Sequence, residues 1–282
     1  MSMDDDRELL APLRDLEPPG ASTVSVAQAI RDGRRRKAAF AAAAAVMVAL
    51  VAVGLGLSQR QQLPTAAGRF DVATEVFTVG TAGGFTPSTF ETGTDRQIAT
   101  LVPEKGTTGG ATVTVYAAGR FTPSGDQAPD VYGHRARWVG DYSLAFEWGP
   151  DAWATITVSG YSDGRARAQH IADSVATDTV PVKLPFTLPK PSWPLTGVRV
   201  PAGDRVGDAT MIFGAISVTF STTEPSHGDH SVTVRDQTGR YWVTVDAGTA
   251  DALTPTVTHL ADTVLPVADP GHRSGWTILP WR

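Results

Sequence analysis

The 282-residue chain contains no cysteine and no asparagine, and only four of its 24 basic residues are lysine. The missing cysteines exclude disulfides, thiolate zinc sites, iron–sulfur clusters and cysteine nucleophiles together. Positive charge is not in excess either. The 24 Lys and Arg stand against 29 Asp and Glu, a net charge of −5, so no direct nucleic-acid partner is expected. P-loop, Rossmann glycine and HExxH patterns are all absent, and no cofactor or metal is expected. What is present is 41% hydrophobic residues, enough for a real core, with Gly (28) and Pro (20) short of a disordered composition. At roughly 150 residues per domain, the length leaves room for one or two globular units.

Residues 38–57 form an uncharged run, AAFAAAAAVMVALVAVGLGL. At 1.5 Å per residue a helix of that length is about 30 Å long, the thickness of a hydrocarbon core. Arg34, Arg35, Arg36 and Lys37 stand immediately before it, and only Arg60 and Arg69 follow closely. The positive-inside rule then predicts a single-pass protein in the cell membrane, with a cytoplasmic N-terminus and an extracytoplasmic C-terminal region. The bilayer is the partner expected for residues 38–57, anchored by that basic cluster. A cleaved signal peptide is the competing reading, with Thr65-Ala66-Ala67 as its cleavage site.

The stub of residues 1–37 holds seven acids and seven bases, acids first. Leu9, Leu10, Leu13 and Leu16 recur at helical spacing, and Pro18-Pro19-Gly20 breaks that helix. Ser22, Thr23 and Ser25 offer caps for a second helix through Val26 and Ile30. Such a stub cannot bury a core of its own. It reads either as a docking peptide using those six apolar residues or as a tail that merely anchors the span. The run LLAPLRDLEPPGASTVSVAQAIRDGRRRK and the Ala-rich span after it resemble the N-termini of actinobacterial single-pass membrane proteins of the anti-sigma-like, envelope-regulator type. The resemblance covers roughly residues 7–57 and implies a sigma factor as cytoplasmic partner. The zinc-binding anti-sigma motif is missing, so the short helices would have to hold that partner.

Beyond residue 58 the chain echoes itself. His170-Ile-Ala-Asp-Ser-Val175 returns as His259-Leu-Ala-Asp-Thr-Val264, and 153–158 returns less closely as 241–245. Residues 111–116 pair with 215–220, Asp95-Arg96 with Asp204-Arg205, and 186–189 with 276–280. Five echoes in one order predict two copies of one unit, 58–180 and 195–282, around a Pro-rich connection at 181–194. Strands are expected at 112–116, 143–148, 154–158, 231–235 and 241–246. Helical spacing of Ala, Ile and Val marks 165–176 and 252–264. The expected class is α+β: a transmembrane helix followed by two antiparallel-sheet-plus-helix repeats. This arrangement resembles the sensor domains of bacterial envelope regulators and LolA-like lipid carriers.

Chemistry is sparse. Gly160-Tyr161-Ser162-Asp163-Gly164 fits G-x-S-x-G between a strand and a helix, with Asp262 and His272 as nominal triad partners. The strand before it alternates polar and apolar residues, and Ser162 or Asp163 serves equally well as a helix cap. Glu224, His227, Asp229 and His230 cluster, but Pro225 and Gly228 make a loop that cannot present the two histidines on one helical face. Seven tryptophans fit core positions or the lining of a groove. The expected function is therefore a non-enzymatic transmembrane regulator with an extracytoplasmic sensor or interaction domain binding an unidentified ligand. The alternatives are an anchored envelope binding module for a lipid, glycan or peptide, and more remotely a serine hydrolase using Ser162.

Overall fold

The computed structural model describes residues 68–204, 207–225, 230–236, 238–248, 254–278 and 280–281. Sixteen strands and two α-helices are found among them, with one short 3-10 turn at Arg273–Gly275. The α+β expectation with a membrane-crossing helix is thereby corrected: the fold is mostly β, built on a 12-stranded antiparallel sheet. Among the described residues no helix is long and apolar enough to cross a membrane, and residues 38–57 lie outside them. The helical spacing over 165–176 runs across a boundary, because the helix ends at Ala172 and a strand starts at Val175.

The first set of elements is β1 (Thr74–Val79), β2 (Phe85–Gly93), β3 (Arg96–Pro103), β4 (Gly110–Tyr116), β5 (Asp126–Val131), β6 (His134–Gly140), β7 (Ser143–Gly149), β8 (Ala152–Ser159), α1 (Gly164–Ala172) and β9 (Val175–Pro181). The second is β10 (Phe186–Thr187), β11 (Gly197–Pro201), β12 (Ala209–Phe213), β13 (Ile216–Ser221), β14 (Ser231–Arg235), β15 (Trp242–Asp246), α2 (Thr254–Thr263) and β16 (Leu265–Pro266). The large sheet runs β14-β15-β13-β12-β11-β2-β3-β4-β8-β7-β6-β5. Outside it, β1 pairs with β9 and β10 with β16. Each set thus follows one topology, and the β5–β6 hairpin is extra to the first.

Register aligns the two sets residue by residue. Thr78 pairs with Ala176 and Phe77 with Thr177, as Thr187 pairs with Leu265 and Phe186 with Pro266. One inward row reads Phe90, Ala99, Val113, Ile156, Leu144; its counterpart reads Val198, Met211, Val218, Val245, Val232. All but Val232 are buried. Strand alternation sends the neighbouring row to the opposite face. There stand Glu91, Ile98, Thr114 and Thr155 in one copy, and Arg199, Thr210, Thr219, Thr244 and Thr233 in the other. Threonine suits this face because its branched Cβ favours strands while its hydroxyl bonds across them. Thr210 and Thr219 hydroxyls lie 3.0 Å apart, and those of Thr233 and Thr244 3.1 Å.

The core lies between the inward face and the elements laid on it. The helix α1 packs on β7 and β8, α2 on β14 and β15, and β1 on β2 and β3. Phe77 meets Phe90 with ring centroids 4.8 Å apart, and Phe186 meets Phe220 at 5.7 Å. Burying each such ring contributes about 1.5–3 kcal/mol. Within 181–194, Val182, Leu184, Phe186 and Leu188 are all buried. At one end of the sheet, β5 carries Asp126, Pro129 and Asp130, residues that discourage pairing with a further strand.

Candidate functional site

The two sets join edge to edge where β11 runs antiparallel to β2, pairing Gly197 with Gly93, Val198 with Thr92, Arg199 with Glu91, Val200 with Phe90 and Pro201 with Thr89. Glycines are needed at the first pair: a Cβ on Gly93 would stand 2.8 Å from Arg96 O, and one on Gly197 2.8 Å from Thr92 O. Thr92 is buried and ties the joint to the segment before β1. Its hydroxyl donates to Val72 O at 2.6 Å, and Val198 N–H donates to that hydroxyl at 3.2 Å.

Under the joint, on the inward side, lies a groove of about 590 Å³. Its first wall is β1 from Glu75 to Val79, its floor Pro87, Phe90 and Ala99, and its far wall Ala202, Gly203, Asp204 and Arg273. A bulge in β1 between Glu75 and Phe77 breaks the ladder with β9. Gln97 supports this irregular stretch as a strand would. Fully buried, it accepts the Val76 N–H at 2.9 Å and donates to Thr74 O at 2.7 Å.

Glu75 is the site's chemical singularity. Its side chain is 11% exposed and stands 3.6 Å from the Arg273 guanidinium. Its Oε1 is buried and has no hydrogen-bond partner among the described residues. Burial pushes the carboxyl above its usual value of 4.5, Arg273 pulls it down less strongly, and Asp178 adds a small upward push. Arg273 also hydrogen-bonds Pro201 O and lies 5.6 Å from the Trp276 ring centre. Lys183 and Asp204 complete the charged lining, which balances two acids against two bases.

The residues singled out from sequence lie elsewhere. Leu9, Leu10, Leu13, Leu16, Val26, Ile30, Arg34, Arg35, Arg36 and Lys37 fall outside the described residues, as do His227 and Asp229. Among the described residues no group of three His, Asp or Glu is placed to hold a metal. Ser162 is exposed in the turn before α1. Its neighbour Asp163 is engaged by Arg167, whose Nε donates at 2.7 Å and holds that carboxyl below its usual range. His272 bonds Asp269 at 2.8 Å, and no hydrogen bond between described residues links Ser162 to an acid or a histidine. His170 and His259 are both exposed at matching places on α1 and α2.

Sequence reasoning missed Glu75, Gln97 and Arg273. Gln97 had a signal, a polar residue at an inward place in the alternation Arg96-Gln97-Ile98-Ala99. The Glu75–Arg273 pair had none, because it joins the first strand to the segment after the last. The chain's likeness to known proteins adds nothing to this geometry: no family model, no curated protein and no solved structure matches it.

Proposed function

We propose that the chain is a non-enzymatic regulator held in a membrane, with the β domain as its extracytoplasmic binding part. The observation that carries this reading is the groove at the joint. It takes one wall and its floor from the first copy and its far wall from the second, is lined mainly by apolar side chains and is balanced in charge. Binding sites are concave and mostly apolar, with a few polar groups that fix orientation. The uncharged run 38–57 behind Arg34-Arg35-Arg36-Lys37 supports an N-terminus in the cytoplasm. The leucines of the stub and the resemblance of residues 7–57 to anti-sigma-like regulators support a cytoplasmic protein partner, a sigma factor.

A peptide of residues 1–37 titrated against extracytoplasmic-function sigma factors of the source cell tests the reading, and absence of binding to all of them overturns it. The alternative is an anchored envelope binding module, favoured by the same groove. Deleting residues 1–30 separates the two, since the module keeps all its activity and the regulator loses its effect on the cytoplasmic partner. A serine hydrolase, in contrast, requires labelling of Ser162 by a fluorophosphonate probe.

A further inference from the structure

The strands β1 and β10 occupy the same place in the two copies but have different neighbours. On β10, the edge turned away from β16 carries the chain's own tail. Leu184 and Thr277 exchange backbone hydrogen bonds of 2.9 Å, and Leu188 N–H donates to Pro280 O at 2.8 Å. Trp281 follows, its ring 6.2 Å from that of Phe213. With β16 on one side and the tail on the other, β10 is an interior strand.

Among the described residues the corresponding edge of β1 is unpaired. Gly80 N–H donates to Ser174 O at 3.2 Å, which fixes the phase of the β1–β9 ladder. In an antiparallel pair alternate residues face the partner, so Thr78 faces β9 while Phe77 and Val79 turn their N–H and C=O groups away. Gln97 occupies that edge at Thr74 and Val76 only. Past it, no described residue pairs with the outward groups of Phe77 and Val79, and the 590 Å³ groove runs alongside them.

We infer that this open edge of β1 binds an extended peptide segment of a partner by strand addition, in the place that the tail takes on β10. Strand addition gives affinity through the main chain and specificity through pockets for alternate side chains. The lining states the chemistry of the occupant. Pro87 and Phe90 favour an apolar side chain, and with Glu75 and Asp204 balanced by Lys183 and Arg273 the lining offers no net charge to hold a charged one. The chain's own Trp276-Thr-Ile-Leu-Pro-Trp281 has that composition and serves as the probe.

This inference rests on the reading of the domain as a binding part. A labelled peptide of residues 274–281, blocked at both ends, is titrated into the full chain in mild detergent. The expected result is saturable binding, with slowed amide exchange at Phe77 and Val79. Methylating the peptide nitrogens on the edge that faces β1 weakens binding roughly tenfold, while methylating the alternate set leaves it unchanged. No binding, equal sensitivity of both sets, or unaltered exchange at Phe77 and Val79 overturns the inference. The regulator reading is judged separately by the titration of residues 1–37, so the two failures are distinct.

Discussion

Glu91 and Arg199 are the same position in the two copies, and they are paired with each other. Glu91 lies opposite Ile98 on β3 as Arg199 lies opposite Thr210 on β12, yet Glu91 and Arg199 also face one another across the joint. The flanking pairs, Thr92 with Val198 and Phe90 with Val200, exchange places under the same operation. A local twofold axis therefore passes through this pair, and Arg199 Nε donates to Glu91 Oε2 at 2.8 Å.

Because the pair sits on the axis, exchanging its members reproduces the same contact. Glu91→Arg alone places two cations face to face and is expected to cost up to about 1 kcal/mol, the scale of an exposed pair. Adding Arg199→Glu restores stability to within about 0.5 kcal/mol. Denaturant unfolding of the wild type, the two single variants and the swap checks this, with the effect shrinking at high salt.

Thr92→Val keeps the shape of the side chain but removes the hydroxyl that serves Val72 and Val198. Losing the bond to the half-buried Val72 carbonyl and the side-chain bond from Val198 N–H is expected to cost about 1 kcal/mol. Replacing Thr89, which takes part in the same joint without those side-chain bonds, is expected to cost less than about 0.5 kcal/mol.

Glu75 sets a pH dependence of known sign. Its folded carboxyl titrates above its unfolded value of 4.5, so the native state holds the proton more tightly. Stability from this group is full below about pH 4 and is lost as pH rises through the folded value. Relative to Glu75→Gln, the wild type should therefore lose thermal stability as pH rises from there towards neutrality. A difference between the two that is flat in pH contradicts the assignment.

Asp236 works in the opposite sense. Burial raises its carboxyl, but the Thr238 hydroxyl and the N–H groups of Tyr241, Thr238 and Arg240 outweigh it and lower the result. Its contribution is present above the unfolded value of 3.8 and disappears as pH falls through the folded one. Asp236→Ala is expected to destabilise the β14–β15 hairpin by about 1–2 kcal/mol near neutral pH and by progressively less in acid. Circular dichroism melts at several pH values read this directly.

What was legible in the sequence is what is local. His170–Val175 and His259–Val264 fall on the end of each helix and the turn into the next strand, where a short stretch must satisfy helix packing and ladder pairing together. The Asp236-Gln-Thr-Gly239 turn carries its own explanation in the Asp236 hydrogen bonds and the positive φ of Gly239. The fold class was misread because a continuous sheet depends on one non-local pairing, β2 with β11, which no periodicity announces. The β5–β6 hairpin hid behind Pro129, His134 and two aspartates, residues that read as loop. The groove stayed invisible for the same reason as the joint, since its walls are assembled from both ends of the domain.

An edge that meets its own counterpart about a twofold axis is the geometry of an isologous homodimer, achieved here within one polypeptide. In such a dimer of identical subunits the residue on the axis would face itself, and an acid or a base there would be repelled by its twin. Covalent fusion removes that constraint. The two positions are free to carry different side chains, and Glu91 with Arg199 uses that freedom: the joint is a self-complementary interface whose central contact two identical subunits could not form.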